Sequence, residues 1–150
     1  MAWIARLCGT LLLILSGGAM ADETRGTAEE AQALVARAIA AYDAEGDAAF
    51  AAMNPPSTEF RDRDLYVFVI GSDNIVLVNG QDASRIGRDL METVDVTGKN
   101  LGKEFVENAS QEGAWVDYVW RDPLTETNVH KTSWIVRHDG YIFGCGVYKP

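Results

Sequence analysis

Cysteine is scarce in this chain of 150 residues, where Cys8 and Cys145 are the only two. Cys8 falls in an N-terminal segment that reads as a leader, so the remainder holds one thiol and can close no internal disulfide. Such a domain relies on its apolar core, and a lone cysteine in an oxidising compartment is most simply a small buried apolar residue. Positive charge is also short: 13 Lys and Arg stand against 22 Asp and Glu, a formal net charge of −9. A surface of this kind repels nucleic acid and anionic lipid, so neither is expected as a partner. Any anionic ligand then needs a local cation working against the overall field. No apolar run reaches the ~20 residues that a bilayer-spanning helix needs. Catalytic signatures are missing too, with no glycine loop and lysine for phosphates, no G-x-S-x-G and no H-E-x-x-H. The two histidines, His130 and His138, fall on one side of a strand by parity, without an acidic or thiol partner at ligand spacing. They read as edge-of-strand residues, and no metal or cofactor is expected.

What is present begins with a secretory signal peptide. Arg6 supplies the positive flank, Leu7 to Leu15 the apolar run, and Ala19-Met20-Ala21 the small residues a signal peptidase accepts. Cys8 has no apolar stretch before it, which argues against lipid attachment. Cleavage near Ala21 would start the mature chain at Asp22 and leave 129 residues with net charge −10. That is one periplasmic or secreted domain with a real core and no stable membrane insertion.

The elements then follow in order. Thr27 and Glu30 stand at capping-box spacing, and Ala31, Leu34, Val35, Ala38, Ile39 and Tyr42 form one helical apolar stripe. Gly46-Asp47 breaks it, Phe50 and Met53 suggest another turn, and Asn54-Pro55-Pro56 ends helical structure. Strands are expected over Leu65 to Ile70 and Ile75 to Asn79, joined by a turn at Gly71-Ser72-Asp73-Asn74. Mixed signals fill residues 80–113, with a short amphipathic helix carrying Leu101, Phe105, Val106 and Ala109. Three strands close the chain, Ala114 to Trp120, Lys131 to Arg137 and Tyr141 to Lys149, the last two joined by a type I′ signal at Asp139-Gly140. The fold class is α+β. One five-stranded antiparallel sheet is expected, with the long helix on one face, the 80–113 segment over part of the other, and a cavity beneath that segment.

Strand parity groups the candidate site. Tyr66 and Phe68 share a face of the first strand, Tyr118 and Trp120 a face of the third, and Lys131 and Ser133 a face of the fourth, while Trp115, Asp117 and Trp134 point the opposite way. Two readings stand open. The aromatics are core and Lys131 snorkels at an edge, or Lys131 with Tyr and Trp neighbours forms a cationic, aromatic-walled pocket for a small carboxylate. The acidic stretches Asp43-Ala44-Glu45-Gly46-Asp47 and Arg61-Asp62-Arg63-Asp64 read as solvated; the first does not follow EF-hand spacing.

Several runs resemble the single Cache (sCache_2-like) extracellular sensor domain. They are Tyr66-Val67-Phe68-Val69, Val76-Leu77-Val78-Asn79-Gly80, Ile86-Gly87-Arg88-Asp89-Leu90 and Gly113-Ala114-Trp115-Val116-Asp117-Tyr118-Val119-Trp120. Asp122-Pro123, His130-Lys131-Thr132-Ser133-Trp134 and Gly144-Cys145-Gly146-Val147-Tyr148 continue the resemblance, which runs in order over about residues 27 to 149. It implies a PAS-like fold with a small-molecule pocket, in a family whose members commonly bind short organic acids and serve as input domains of chemoreceptors and kinases. Family sequences often carry His where Asn79 stands; asparagine keeps the hydrogen-bonding capacity and loses the titration.

The expected function is a free-standing sensor-type domain that binds a short organic acid and works through a separate membrane receptor or kinase, without catalysis. Lys131 is the charge-pairing residue, and Tyr66, Phe68, Asn79, Tyr118, Trp120 and Ser133 are the wall and polar contacts. Two rivals predict different observations. An interaction or inhibitor module would have a closed core beneath residues 80–113. An NTF2-like enzyme would need a buried acid, for which Asp117 is the strand-interior candidate.

Overall fold

The first helix, α1 (Ala28–Glu45), starts where the chain can cap it. The Thr27 side chain accepts the Glu30 N–H at 3.2 Å, and the Glu30 carboxylate returns to the Thr27 N–H at 2.8 Å. This computed structural model describes residues 23–149; the expected signal peptide and its cleavage site lie outside the described residues. Of the apolar stripe, Ala31, Leu34, Val35 and Ala38 are buried, and Ile39 and Tyr42 pack at its margin. A tight turn at Gly46–Ala49 leads into α2 (Phe50–Met53), which stops before the two prolines.

The strands are β1 (Arg61–Asp62), β2 (Leu65–Ile70), β3 (Val76–Asn79), β4 (Ala114–Arg121), β5 (Asn128–His138) and β6 (Tyr141–Lys149). The sheet therefore has six strands, not the expected five. The addition is the two-residue β1, which folds back on β2 with Arg61 opposite Tyr66 and is too short to show a period in sequence. The five longer strands lie in the order β3-β2-β6-β5-β4, all antiparallel. Asp139 and Gly140 take φ values of 48° and 85°, as a type I′ turn requires, and set His138 opposite Tyr141. Counting outward from that turn puts Lys131 opposite Tyr148.

β2 is buried along its whole length because both sheet faces are covered. Leu65, Val67 and Val69 join the α1-side core with Phe143 and Cys145. Phe68 and Ile70 turn to the other side and meet Val116, Tyr118, Ile135, Leu90, Leu101 and Phe105. The last three belong to the 80–113 segment, whose one long element is α3 (Leu101–Asn108). Asn100 caps α3 by accepting the Lys103 N–H at 2.8 Å, and Arg137 on β5 donates to the Val106 and Ala109 carbonyls at its far end. Val106, expected on the apolar face, is exposed; only Leu101, Gly102 and Phe105 are buried on this helix.

Asp64 corrects the reading of its charged run as solvated. It is fully buried, accepting from Arg25 Nη1 at 3.2 Å and the Gly26 N–H at 2.7 Å. Arg25 reaches on to Asp122, also fully buried, at 2.6 Å. The stretch ahead of α1 is thus tied to the β4–β5 connection.

Candidate functional site

A cavity lies where expected, between the sheet and the 80–113 segment, with an interior volume of about 50 Å³, or about 480 Å³ when the open solvent at its mouth is counted. Its floor is sheet. Tyr66 and Phe68 come from β2, Tyr118 and Trp120 from β4, and Lys131 from β5. Leu90, Leu101 and Phe105 roof it, with Phe105 stacked on Phe68 at a centroid distance of 5.4 Å and edge-on to Tyr118 at 5.6 Å. β6 contributes by what it omits. A Cβ at Gly144 would stand 2.2 Å from the Phe68 ring, and one at Gly146 would stand 2.5 Å from Lys131 Cε. The two glycines leave the room that the ring and the lysine stem occupy.

Lys131 is 2 % exposed, so it does not snorkel. Its ammonium donates to the Tyr66 hydroxyl at 2.9 Å and to the Tyr148 hydroxyl at 3.2 Å, and lies 4.1 Å and 4.6 Å from those ring centroids. Tyr148 donates its own hydrogen to the Arg121 carbonyl at 3.0 Å. In the 3.1 Å contact between the two hydroxyls Tyr66 is therefore the donor, and both phenol oxygens turn lone pairs to the lysine. Burial works against the Lys131 charge, while the negative charge of the Tyr118, Tyr66 and Tyr148 phenolates and the hydrogen bond to Tyr66 favour it, a balance that lies above the ordinary lysine value. Burial raises the Tyr118 and Tyr148 phenols, with the lysine charge acting in the opposite sense. The ammonium is thus supported by hydroxyl oxygens and ring faces, with no permanent negative charge beside it. Two of its three N–H donors are engaged, and no carboxylate stands within ion-pair distance of it among the described residues.

Of the seven residues singled out in sequence, Tyr66, Phe68, Asn79, Tyr118, Trp120 and Lys131 line the cavity. Ser133 does not. It is fully buried behind the wall, where its hydroxyl meets that of Tyr118 at 2.9 Å and orients the ring. The Asn79 side-chain oxygen accepts the N–H groups of Gln81 at 3.1 Å and Asp82 at 2.9 Å, which leaves the amide nitrogen with donors to spare.

Three further residues belong to the site. Tyr148 was reachable from the hairpin register, which sets it opposite Lys131. Arg85 and Arg88 line the cavity from the far side, and no period in the mixed 80–113 segment marks which way they face. The Arg85 guanidinium lies 4.5 Å from the Trp120 ring centroid, and Arg88 Nε donates to the Ser84 carbonyl at 2.8 Å. The cavity lining thus holds three cationic side chains and no acidic one, in a chain where acids outnumber bases.

The rivals fare differently. The open cavity contradicts the closed core that an interaction module would have. Asp117 is exposed on the other face of β4, not buried. His138 is also better supplied with acids than its sequence spacing suggested: Asp43, contributed by α1, lies 2.6 Å away, and Asp139 is close to both. This cluster is at the surface.

The model of the Single Cache domain 2 family matches residues 18–148. Solved structures share the fold. A methyl-accepting chemotaxis protein from Vibrio parahaemolyticus is 17% identical with a TM-score of 0.67, over 80% of this chain and 86% of its own. The periplasmic sensor domain of a chemotaxis protein is 25% identical with a TM-score of 0.62, over 81% and 90%. A Cache chemosensory domain described for its carboxylic acid recognition is 18% identical with a TM-score of 0.59, over 81% and 88%. Comparison with curated proteins finds no match.

Proposed function

The chain belongs to the Single Cache domain 2 family, and from that premise we propose that it is an extracytoplasmic sensor domain whose cavity binds a short organic acid through Lys131. Cache sensor domains bind small-molecule ligands outside the cytoplasm and are not enzymes. The observation that carries the acid is the buried Lys131 ammonium, partnered by phenol hydroxyls and by no carboxylate among the described residues. A buried charge is expensive without an opposite charge, and a carboxylate entering the cavity would supply one. The aromatic wall keeps water from that pair and strengthens it. The carboxylic acid recognition named for a Cache domain of the same fold supports the same choice.

In this reading the loaded domain acts through a membrane-embedded receptor or kinase, on the analogy of the chemotaxis proteins that share its fold. The chain reaches its compartment by the signal peptide ending near Ala21. No helix among the described residues is long and apolar enough to cross a membrane.

A thermal-shift screen of acetate, propanoate, butanoate and succinate against the corresponding amines tests the proposal. A ligand that binds only the native state stabilises it by about 2.7 kcal/mol at a hundredfold excess over its Kd. Acids are expected to raise the melting temperature and amines to leave it unchanged. Stabilisation by amines instead of acids would contradict the assignment.

A further inference from the structure

The cavity has a second cationic end. Lys131 lies in its interior, whereas Arg85 and Arg88 line both the interior and an outer cleft of about 980 Å³, open solvent included, that Lys131 does not reach. Tyr66, Asn79 and Trp120 line both spaces as well, so the two adjoin.

The acids around the outer cleft are already engaged. Asp82 accepts the Ser84 N–H at 2.9 Å and faces Arg85 and Arg88 only from beyond ion-pair distance, Asp122 pairs with Arg25 at 2.6 Å, and Glu126 faces Arg121 at 3.9 Å. Neither Arg85 nor Arg88 has a carboxylate within ion-pair distance among the described residues. Arg85 is nonetheless held in place, by its stack on Trp120, and a stacked guanidinium keeps its N–H edge available for a planar anion. Arg88 is anchored only through Nε, which leaves both of its terminal nitrogens. Two guanidiniums with no carboxylate at ion-pair distance, Asp82 standing farther off, form an anion site in a protein of net charge −9.

Resting on the reading of Lys131 as the counter-charge of an acid, we propose that the ligand class is a short dicarboxylate. One carboxylate meets Lys131 inside the cavity, and the other meets Arg85 and Arg88 at the mouth. The aromatic stretch between the two ends accommodates the methylene linker. A monocarboxylate satisfies only the inner end.

Calorimetric titration of the mature protein at low ionic strength tests this, with malonate, succinate, glutarate and adipate set against butanoate and hexanoate. The best dicarboxylate is expected to bind at least about tenfold more tightly than either monocarboxylate. In the double variant Arg85→Gln, Arg88→Gln this preference is lost, dicarboxylate affinity falling at least about tenfold further than butanoate affinity. Equal affinity for dicarboxylates and monocarboxylates, or equal losses for both in the double variant, overturns the dicarboxylate and leaves the Lys131 site standing. Absence of binding by every acid overturns both.

Discussion

The Asp95 carboxylate accepts the backbone N–H of Val119 at 2.9 Å, joining the segment that covers the cavity to β4. Its other oxygen accepts from Thr97 and Lys99 within its own loop. Burial pushes the Asp95 pKa up, but these hydrogen bonds outweigh it and set the value at about 2. A carboxyl depressed in the folded state contributes stability above its unfolded pKa of ~3.9, which is lost as pH falls through the folded value. Here that contribution is about 2–3 kcal/mol, present at neutral pH and lost progressively between about pH 5 and pH 1. Asp95→Asn is expected to be less stable than wild type by up to that amount at pH 7 in urea titrations, with the gap closing toward pH 2. A gap independent of pH would contradict the role given to the charge.

Arg25→Ala removes the only cation paired with the fully buried Asp64 and Asp122 among the described residues. Leaving buried carboxylates without a counter-charge typically costs about 3–5 kcal/mol. Part of that loss is expected to return when Asp64→Asn and Asp122→Asn are added to Arg25→Ala. Urea midpoints of the single and triple variants check this, and a triple variant no more stable than Arg25→Ala would contradict it.

Burial pushes the Cys145 thiol up to about 12, so its reactive thiolate is negligible at neutral pH. A thiol reagent is expected to label native protein far more slowly than protein in urea. Equal rates would show that Cys145 is accessible and not a core residue.

How much of this was legible in sequence depended on whether a period was present. Strand parity puts Tyr66 and Phe68 on one face even though β2 is an unbroken apolar run, and Lys131 lies in a strand whose register the Asp139-Gly140 turn fixes, so parity alone grouped Tyr66, Phe68, Tyr118, Trp120 and Lys131. Ser133 has the correct parity, but its short side chain ends behind Tyr118, and parity says nothing of reach. The direction of Arg85 and Arg88 is set by irregular backbone between Asn79 and Leu90, which has no repeating pattern to read. Asp64 looked solvated because its partner, Arg25, is 39 positions away in the chain. A separation of 95 positions likewise hid Asp43 from His138.

Gly146→Ala separates a shaped cavity from a merely open one. The added methyl would stand 2.2 Å from Ser133 Oγ and 2.5 Å from Lys131 Cε, so the lysine must shift. Overpacking of this kind typically costs about 1–3 kcal/mol of stability. The variant is expected to fold with a lowered melting temperature and to lose acid binding in calorimetry. Unchanged acid affinity would mean that the position of Lys131 is not critical to the site.

The most direct test of the central claim is calorimetric titration of wild type and Lys131→Met with butanoate and succinate. Methionine keeps an apolar stem and removes the charge. Tyr66 can still donate to Tyr148, and Tyr148 to the Arg121 carbonyl, so the apo fold is expected to change little in stability. Losing one member of a desolvated charge pair costs about 2–5 kcal/mol, roughly thirtyfold to several thousandfold in affinity. Wild type is predicted to bind an acid and Lys131→Met to lose at least about thirtyfold, at an unchanged urea midpoint. Equal affinity in the two proteins would contradict the assignment of Lys131 as the counter-charge of the ligand.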